Sequence, residues 1–476
     1  MNTKTKVLLV TVLVVAAAAV GAYFIFRSSS TAYLKALPKN VIALARLDVK
    51  EFMDDADLSQ EEIAQLSQRL SLSDDEHTTI GLNLTRPVYG FASQDGYFGV
   101  LAAVADVHDV TSWCERLRAE GHASEVSQQR GYSWVVLEQQ WLMAFDGERA
   151  LAMGPAVGAA QDQLRTIIAR LMGQERDDSA LETELYETIN KKDDLLTAVV
   201  KSDILPEEVL QPLRTLNLAA AAQGLYLLSL DARGNELALN AEILPDNEDG
   251  EDELEELNQL LRPIRGSLTD YAHSENLFWM AVNLKGEDLL QLLRMHPAVR
   301  TALVAMNFVM DVDRILESID GDIAVEIISG EGIHANLGGS LTAQVSNIDF
   351  LSGAKSWGHD YLRVQPLSAT EYFLEIPDMP LFFSVNDKTI HLGSERAIST
   401  ASNAYLREEQ GDIKGARFYA TIDLQSLPYE QSQLGSDIIR HVERLDVRME
   451  RVGEFAFTLK AAEDTNILKT LLNLEL

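Results

Sequence analysis

Cysteine is almost missing from this chain. Cys114 stands alone in 476 residues, so no internal disulfide can staple the fold and stability must come from buried apolar surface. It lies in Thr111-Ser112-Trp113-Cys114-Glu115-Arg116-Leu117, which reads as an amphipathic helix. A buried structural thiol is expected there rather than a nucleophile. Basic residues are also scarce: 40 Lys and Arg face 73 Asp and Glu, a formal net charge of −33. Such a surface repels phosphate backbones, which argues against nucleic acid, and against anionic lipid headgroups, as partners of the body. Solubility is the plain reading of the excess acid.

The common signatures of chemistry are absent too. The sequence contains no Gly-x-Gly-x-x-Gly, no Gly-x-x-x-x-Gly-Lys-Ser/Thr, no Gly-x-Ser-x-Gly and no His-Glu-x-x-His, which lowers the expectation of nucleotide, nucleophile-elbow and zinc-protease chemistry. His77, His108, His122, His273, His296, His334, His359, His391 and His441 are scattered without ligand spacing. Asp320 and Asp322 flank Gly321 as a turn entering the apolar run Ile323 to Ile328, although such a pair could in principle serve acid–base work. Aromatics are only 7% of the chain, and Trp134 and Trp141, on either side of Gln139-Gln140, are expected in the core rather than stacked on carbohydrate. No residue is therefore singled out as catalytic, cofactor-binding or metal-ligating, and no cofactor is implied.

What is present is the composition of a folded protein, 46% hydrophobic and 24% charged, at a length that exceeds one core. Lys4 and Lys6 precede Val7 to Phe26, a run without charge that is long enough to cross a hydrocarbon core and is closed by Arg27 and Ser28-Ser29-Ser30. An uncleaved transmembrane anchor is expected in preference to a cleaved signal, because Tyr23-Phe24-Ile25-Phe26 continues past the small residues Ala16 to Ala19. No cysteine follows that could carry a lipid. The short basic tail favours a cytoplasmic N-terminus and a body beyond the inner membrane, in the periplasm.

After the anchor, short strands of period two alternate with helices. Val41 to Val49 is a strand followed by helical material to about Leu72; Pro87 to Ser93 and Gly99 to Ala105 pair around Asp95-Gly96; a helix runs from about Val107 to Gly121. Ser133 to Glu138, Trp141 to Phe145 and Arg149 to Met153 form a meander, and Ala156 to Met172 is helical. The order then recurs. Leu277 to Lys285 answers the first strand, Asp322 to Ile328 and Ser340 to Ser346 the next two, and a helix from Ile348 carries Trp357 as the earlier one carries Trp113. Tyr372 to Ile376, Leu381 to Val385 and Thr389 to Leu392 repeat the meander before a helix over Glu395 to Leu406. Leu195 to Val200 and Gly234 to Leu239 match Arg417 to Ile422 and Gly453 to Phe457. The expected class is α+β: a transmembrane helix, then two tandem, related units of antiparallel sheet and helices. The boundaries are 1–31 for a short cytoplasmic tail and anchor, 33–247 for the first repeat, 248–267 for an acidic connector and helix, and 268–476 for the second repeat. Asp246 to Glu256 fails as a calcium loop, since counting back from Gly250 puts Pro245 at the first ligand position; a solvated turn into an acidic helix start is expected.

Leu37-Pro38 leading to Leu47-Asp48-Val49, Gly81-Leu82-Asn83-Leu84-Thr85-Arg86-Pro87-Val88-Tyr89, and Ser318-Ile319-Asp320-Gly321-Asp322-Ile323 give the body a family likeness. Over about residues 33 to 476 it resembles the uncharacterised bacterial family called domain of unknown function 4836. The resemblance implies export to the envelope and no known activity, and it carries over no functional residue. The expected function is a non-enzymatic binding or assembly module, anchored through Val7 to Phe26 and facing an envelope protein or ligand. The competing expectation is a carboxylate-based hydrolase of envelope material at the interface of the repeats.

Overall fold

The computed structural model describes residues 32–59, 62, 80–215, 218–274, 276–295, 297–328, 338–358, 363–375, 380–386, 388–396, 403–427 and 441–475. The chain divides into two compact units, residues 1–247 with 463–476, and residues 248–462. The division between Asn247 and Glu248 falls where the sequence places the end of the first repeat. The C-terminal segment, expected in the second repeat, belongs to the first unit.

In the first unit the strands are β1 (Val41–Leu47), β2 (Val88–Ser93), β3 (Phe98–Ala103), β4 (Ser127–Gln129), β5 (Tyr132–Leu137), β6 (Trp141–Phe145), β7 (Arg149–Gly154), β8 (Leu196–Lys201), β9 (Gly224–Arg233) and β10 (Glu236–Pro245). The helices are α1 (Val49–Asp55), α2 (Val107–Ala119), α3 (Ala159–Met172), α4 (Glu184–Ile189) and α5 (Glu207–Thr215). Ladders join the strands in the order β10-β9-β8-β1-β2-β3-β7-β6-β5-β4, every neighbour antiparallel. Tight turns dictate this. Gly96 adopts φ +83° between β2 and β3, and the Asp146 carboxylate accepts the Glu148 and Arg149 amides at 2.8 and 2.9 Å between β6 and β7. On α3, Leu164, Ile168 and Leu171 recur at helical spacing and bury against Leu101, Trp134, Leu142 and Leu151. Gly81 has φ +75°, and a Cβ there would strike the Asp106 carbonyl and the Val110 amide at the start of α2, so this position of the family-like motif requires glycine.

The second unit contains β11 (Asn276–Lys285), β12 (Ile319–Ile328), β13 (Gly338–Val345), β14 (Arg363–Pro366), β15 (Glu371–Glu375), β16 (Leu381–Asn386), β17 (Thr389–Gly393), β18 (Phe418–Asp423), β19 (Val442–Arg451) and β20 (Glu454–Ala461). Its helices are α6 (Glu248–Leu260), α7 (Gly286–Met295), α8 (Pro297–Asn307), α9 (Val312–Glu317), α10 (Ala404–Glu408) and α11 (Gln410–Ile413). The order is β20-β19-β18-β11-β12-β13-β17-β16-β15-β14, again antiparallel throughout. Strand for strand, it is the order of the first unit. One sheet face packs Ile323, Ala343, Val345, Phe383 and Ile390 around Phe350 and Trp357. The final helix, α12 (Ile467–Glu475), packs Leu468 with Ala56, Leu195 and Ala232 of the first unit.

Two expectations need correction. The α+β class headed by a transmembrane helix gives way to a body dominated by antiparallel sheet, with twenty strands among the described residues. The longest described helix, α3, has 14 residues and is amphipathic, and no helix among the described residues is long and apolar enough to cross a membrane. The inner-membrane, single-pass localisation is corrected on the same finding; Val7 to Phe26, on which that expectation rested, lies outside the described residues. Locally, the helix expected from Ile348 is a 3-10 segment, Asp349–Ser356; of the one expected over Glu395 to Leu406, residues 397–402 lie outside the described residues, and α10 is capped by the Asn403 side chain, which accepts the Leu406 amide.

Candidate functional site

The densest buried polar arrangement lies on one face of the second unit's sheet. Period-two alternation on β12 puts Asp322, Ala324 and Glu326 on the same face, opposite Ile323. Register continues that face sideways: Glu326 faces Trp279 on β11 and Ser340 on β13, while Thr342 faces Ala324 and, on β17, His391. The segment Arg262 to Ser274 crosses this face as a strap, with Ile264, Leu268 and Ala272 packed on Trp279, Ala281 and Tyr419.

Two carboxylates hold the strap down. Asp322, fully buried, accepts the Arg265 amide at 2.9 Å, the Gly266 amide at 2.9 Å and the Asn283 side chain at 2.7 Å. Glu326 accepts His273 Nδ1 at 2.6 Å, the His273 amide at 3.1 Å and the Ser340 hydroxyl at 2.8 Å. Burial pushes the Glu326 carboxyl up, but the His273 ring, the Ser340 hydroxyl and the His273 amide outweigh it and hold it below its ordinary range. Asn403 Nδ2 donates to the His273 carbonyl at 3.0 Å, and the Gln344 side chain reaches Ser267 at 2.7 Å. Burial lowers the pKa of His391; with Nε2 3.2 Å from the Glu395 carbonyl and Nδ1 3.1 Å from Thr342 Oγ1, a neutral ring donates through Nε2 and accepts through Nδ1.

A serine, a histidine and a glutamate within hydrogen-bond reach invite a catalytic reading, and the geometry opposes it. Nucleophile activation needs the base on the hydroxyl. Here Ser340 and His273 both serve the same glutamate oxygen. The cavity bounded by Tyr271, Trp279, Glu326, Ser340 and Thr342 holds about 10 Å³, room for one water and no substrate. The arrangement is a clamp.

A second polar cluster in this unit is built around buried Asp446. Tyr405 donates to Asp446, Lys460 bridges Glu409 at 2.7 Å and Asp446 at 3.2 Å, and the Arg444 guanidinium lies 4.1 Å over the Tyr405 ring. Burial and the Asp446 charge raise the Tyr405 pKa, leaving the phenol a donor. In the first unit a cleft of about 740 Å³ is lined by Lys39, Asn40, Arg170, Gln174 and Asp178. Of its polar groups, Lys39 donates to the Asp177 carbonyl and Gln174 to those of Lys35 and Leu37, while Arg170 and Asp178 are exposed.

The residues weighed from sequence are dispersed. Cys114 is buried and its thiol is pushed up to about 12 by desolvation, which leaves it inert at neutral pH. Asp320 is ion-paired with Arg262 at 2.8 Å and does not join Asp322 in any acid–base pair. Trp134 and Trp141 are both buried, with Arg165 stacked 5.1 Å over Trp134, so neither offers a face to a sugar. His77, His296, His334 and His359 lie outside the described residues. Among the described residues, no three His, Cys, Asp or Glu side chains converge as metal ligands. Sequence reasoning missed the His273–Glu326 clamp, for which the signal was Glu326 itself, a carboxylate inside an apolar strand.

The opposite situation, apolar groups in water, occurs on α7, α8 and the turn that follows α8. Phe308 is 74% exposed, Val304 56%, Met295 55% and Met306 45%. On α8 only Leu303 is fully buried. Ala298, Ala302 and Ala305 are exposed beside Val304 and Met306. A helix that is apolar nearly all round is normally enclosed. This one is not.

The described residues thus form an antiparallel-sheet protein with an uncovered apolar helical face. The chain belongs to the family described as domain of unknown function (DUF4836), whose model matches residues 48–429. No curated protein matches it. Solved structures of TP0453, crystal forms IV and I, are similar at 12% identity and a TM-score of 0.28, covering 45% and 49% of this chain and 81% and 88% of theirs.

Proposed function

We propose that this protein is a non-enzymatic binding module whose docking surface is the exposed face of α7 and α8. The observation that carries the reading is the run of uncovered apolar side chains Met295, Val304, Met306 and Phe308. The saturation of the buried carboxylates Asp322 and Glu326 by donors within the fold supports binding over hydrolysis. A photo-crosslinking residue at Val304 of the full chain, in cells that make it naturally, should give light-dependent adducts that Met306→Ser with Phe308→Ser weakens. The same probe at exposed Asp162 on α3 should give none. A position 304 that forms no adduct would sink the proposal.

We also propose that the two repeats, residues 33–247 and 268–476, descend from a duplication, and the shared strand order supports it. Half-against-half alignment of further family members should pair β1 with β11; any other pairing removes that support.

A further inference from the structure

We infer that the partner of this face is a phospholipid bilayer surface of zwitterionic headgroups, into which α8 sinks its apolar side without spanning. The inference rests on the binding reading above and names its occupant. Three observations select lipid over a protein groove.

The first is charge. Residues 289–310 contain no Asp or Glu, whereas the chain's average would place about three there, and they contain Arg300 together with Arg294, which is ion-paired with Asp313 at 2.6 Å. In a chain of net charge −33 this is a local zone fit for the phosphate level of a membrane interface. Strongly anionic bilayers remain disfavoured by the whole body, which is why the zwitterionic surface is the one assigned.

The second is hydrogen bonding. Apart from Arg300, the polar side chains of α8 are satisfied from within: Thr301 Oγ1 donates to the Pro297 carbonyl at 2.9 Å, Asn307 Nδ2 to the Leu303 carbonyl at 2.9 Å, and Asn307 Oδ1 accepts the Asp313 amide at 3.0 Å. A protein interface uses about one hydrogen bond per 100–200 Å². This face offers almost none, whereas hydrocarbon demands that backbone and side chain be satisfied internally.

The third is dimension. The eleven residues of α8 extend only about 16 Å at about 1.5 Å per residue. That is half a hydrocarbon core, and suits a helix lying in the interface. Arg300, on the flank of the apolar arc, can lay its stem on that surface and raise its head to the phosphates.

The test uses the full chain carrying Val304→Cys, labelled with an environment-sensitive fluorophore, since buried Cys114 does not compete for the reagent. On phosphatidylcholine–phosphatidylethanolamine vesicles the label should brighten and be quenched by spin-labelled lipid. Met306→Ser with Phe308→Ser should weaken that quenching by about tenfold or more. A label at Asp162→Cys should remain aqueous, so attachment through another segment does not imitate the result. A label at 304 that stays aqueous while the crosslinks at 304 join protein overturns the lipid inference and leaves the binding surface standing. If position 304 responds to neither, both fail.

Discussion

Replacing Glu326 by alanine removes the acceptor for three donors at once, the His273 ring, the His273 amide and the Ser340 hydroxyl. Each buried donor left without a partner costs about 1–3 kcal/mol. The strap can relax toward water, so these costs overlap, and a loss of about 3–5 kcal/mol is expected. For a unit of about 215 residues that corresponds to a fall of about 6–20 °C in its melting temperature. Calorimetry alongside Trp279 fluorescence would follow it, because the indole lies beside the clamp. Glu326→Gln keeps the shape and one acceptor oxygen and should lose only about 1–2 kcal/mol. The pH dependence follows from the sign of the shift. The folded carboxyl titrates below its ordinary value of 4.5, so its stabilisation is complete above that value and is lost as pH falls through the lower, folded pKa. The gap between wild type and Glu326→Gln should therefore close in acid. His391 acts in the same direction: burial lowers its folded pKa, the unfolded chain takes up the proton first, and stability drops as pH falls below about 6.5. A Glu326→Ala protein that melted within about 1 kcal/mol of wild type would refute the clamp.

Asp322→Ala should cost about 3 kcal/mol by orphaning the Arg265 and Gly266 amides, read as faster proteolysis within residues 262–274. Gly286→Ala puts a Cβ onto the Leu316 carbonyl where α7 approaches α9, and should destabilise the second unit by about 3 kcal/mol in urea titration. Cys114 should resist thiol reagents in native buffer and react within minutes in denaturant, measured as reagent colour; rapid native labelling would contradict its burial.

Much of the sheet is legible in the sequence because alternation and turn chemistry are local. The strand expected over Leu277 to Lys285 is observed as Asn276–Lys285, and the meander expected over 133–153 as three strands ending at Gly154. Helix boundaries fare worse. The stretch after Ile348 has helical apolar spacing, but Ser352 and Gly353 favour a tighter winding that ends at Trp357. The clamp needs β11, β12, β13 and β17 in register beneath a strap from outside the sheet, and no window of sequence contains that. Glu326 alone shows it, as a charge in an apolar run. The uncovered face of α8 is harder still: Val299 and Leu303 do pack inward, and the exposure of Val304 and Met306 is decided by what packs against them.

The most direct measurement of the central claim is hydrogen–deuterium exchange on the full chain, with and without phosphatidylcholine–phosphatidylethanolamine vesicles. The account predicts slowed exchange concentrated in residues 295–310 and abolished by Met306→Ser with Phe308→Ser. Unchanged exchange in 295–310, with protection elsewhere in the body, would contradict it.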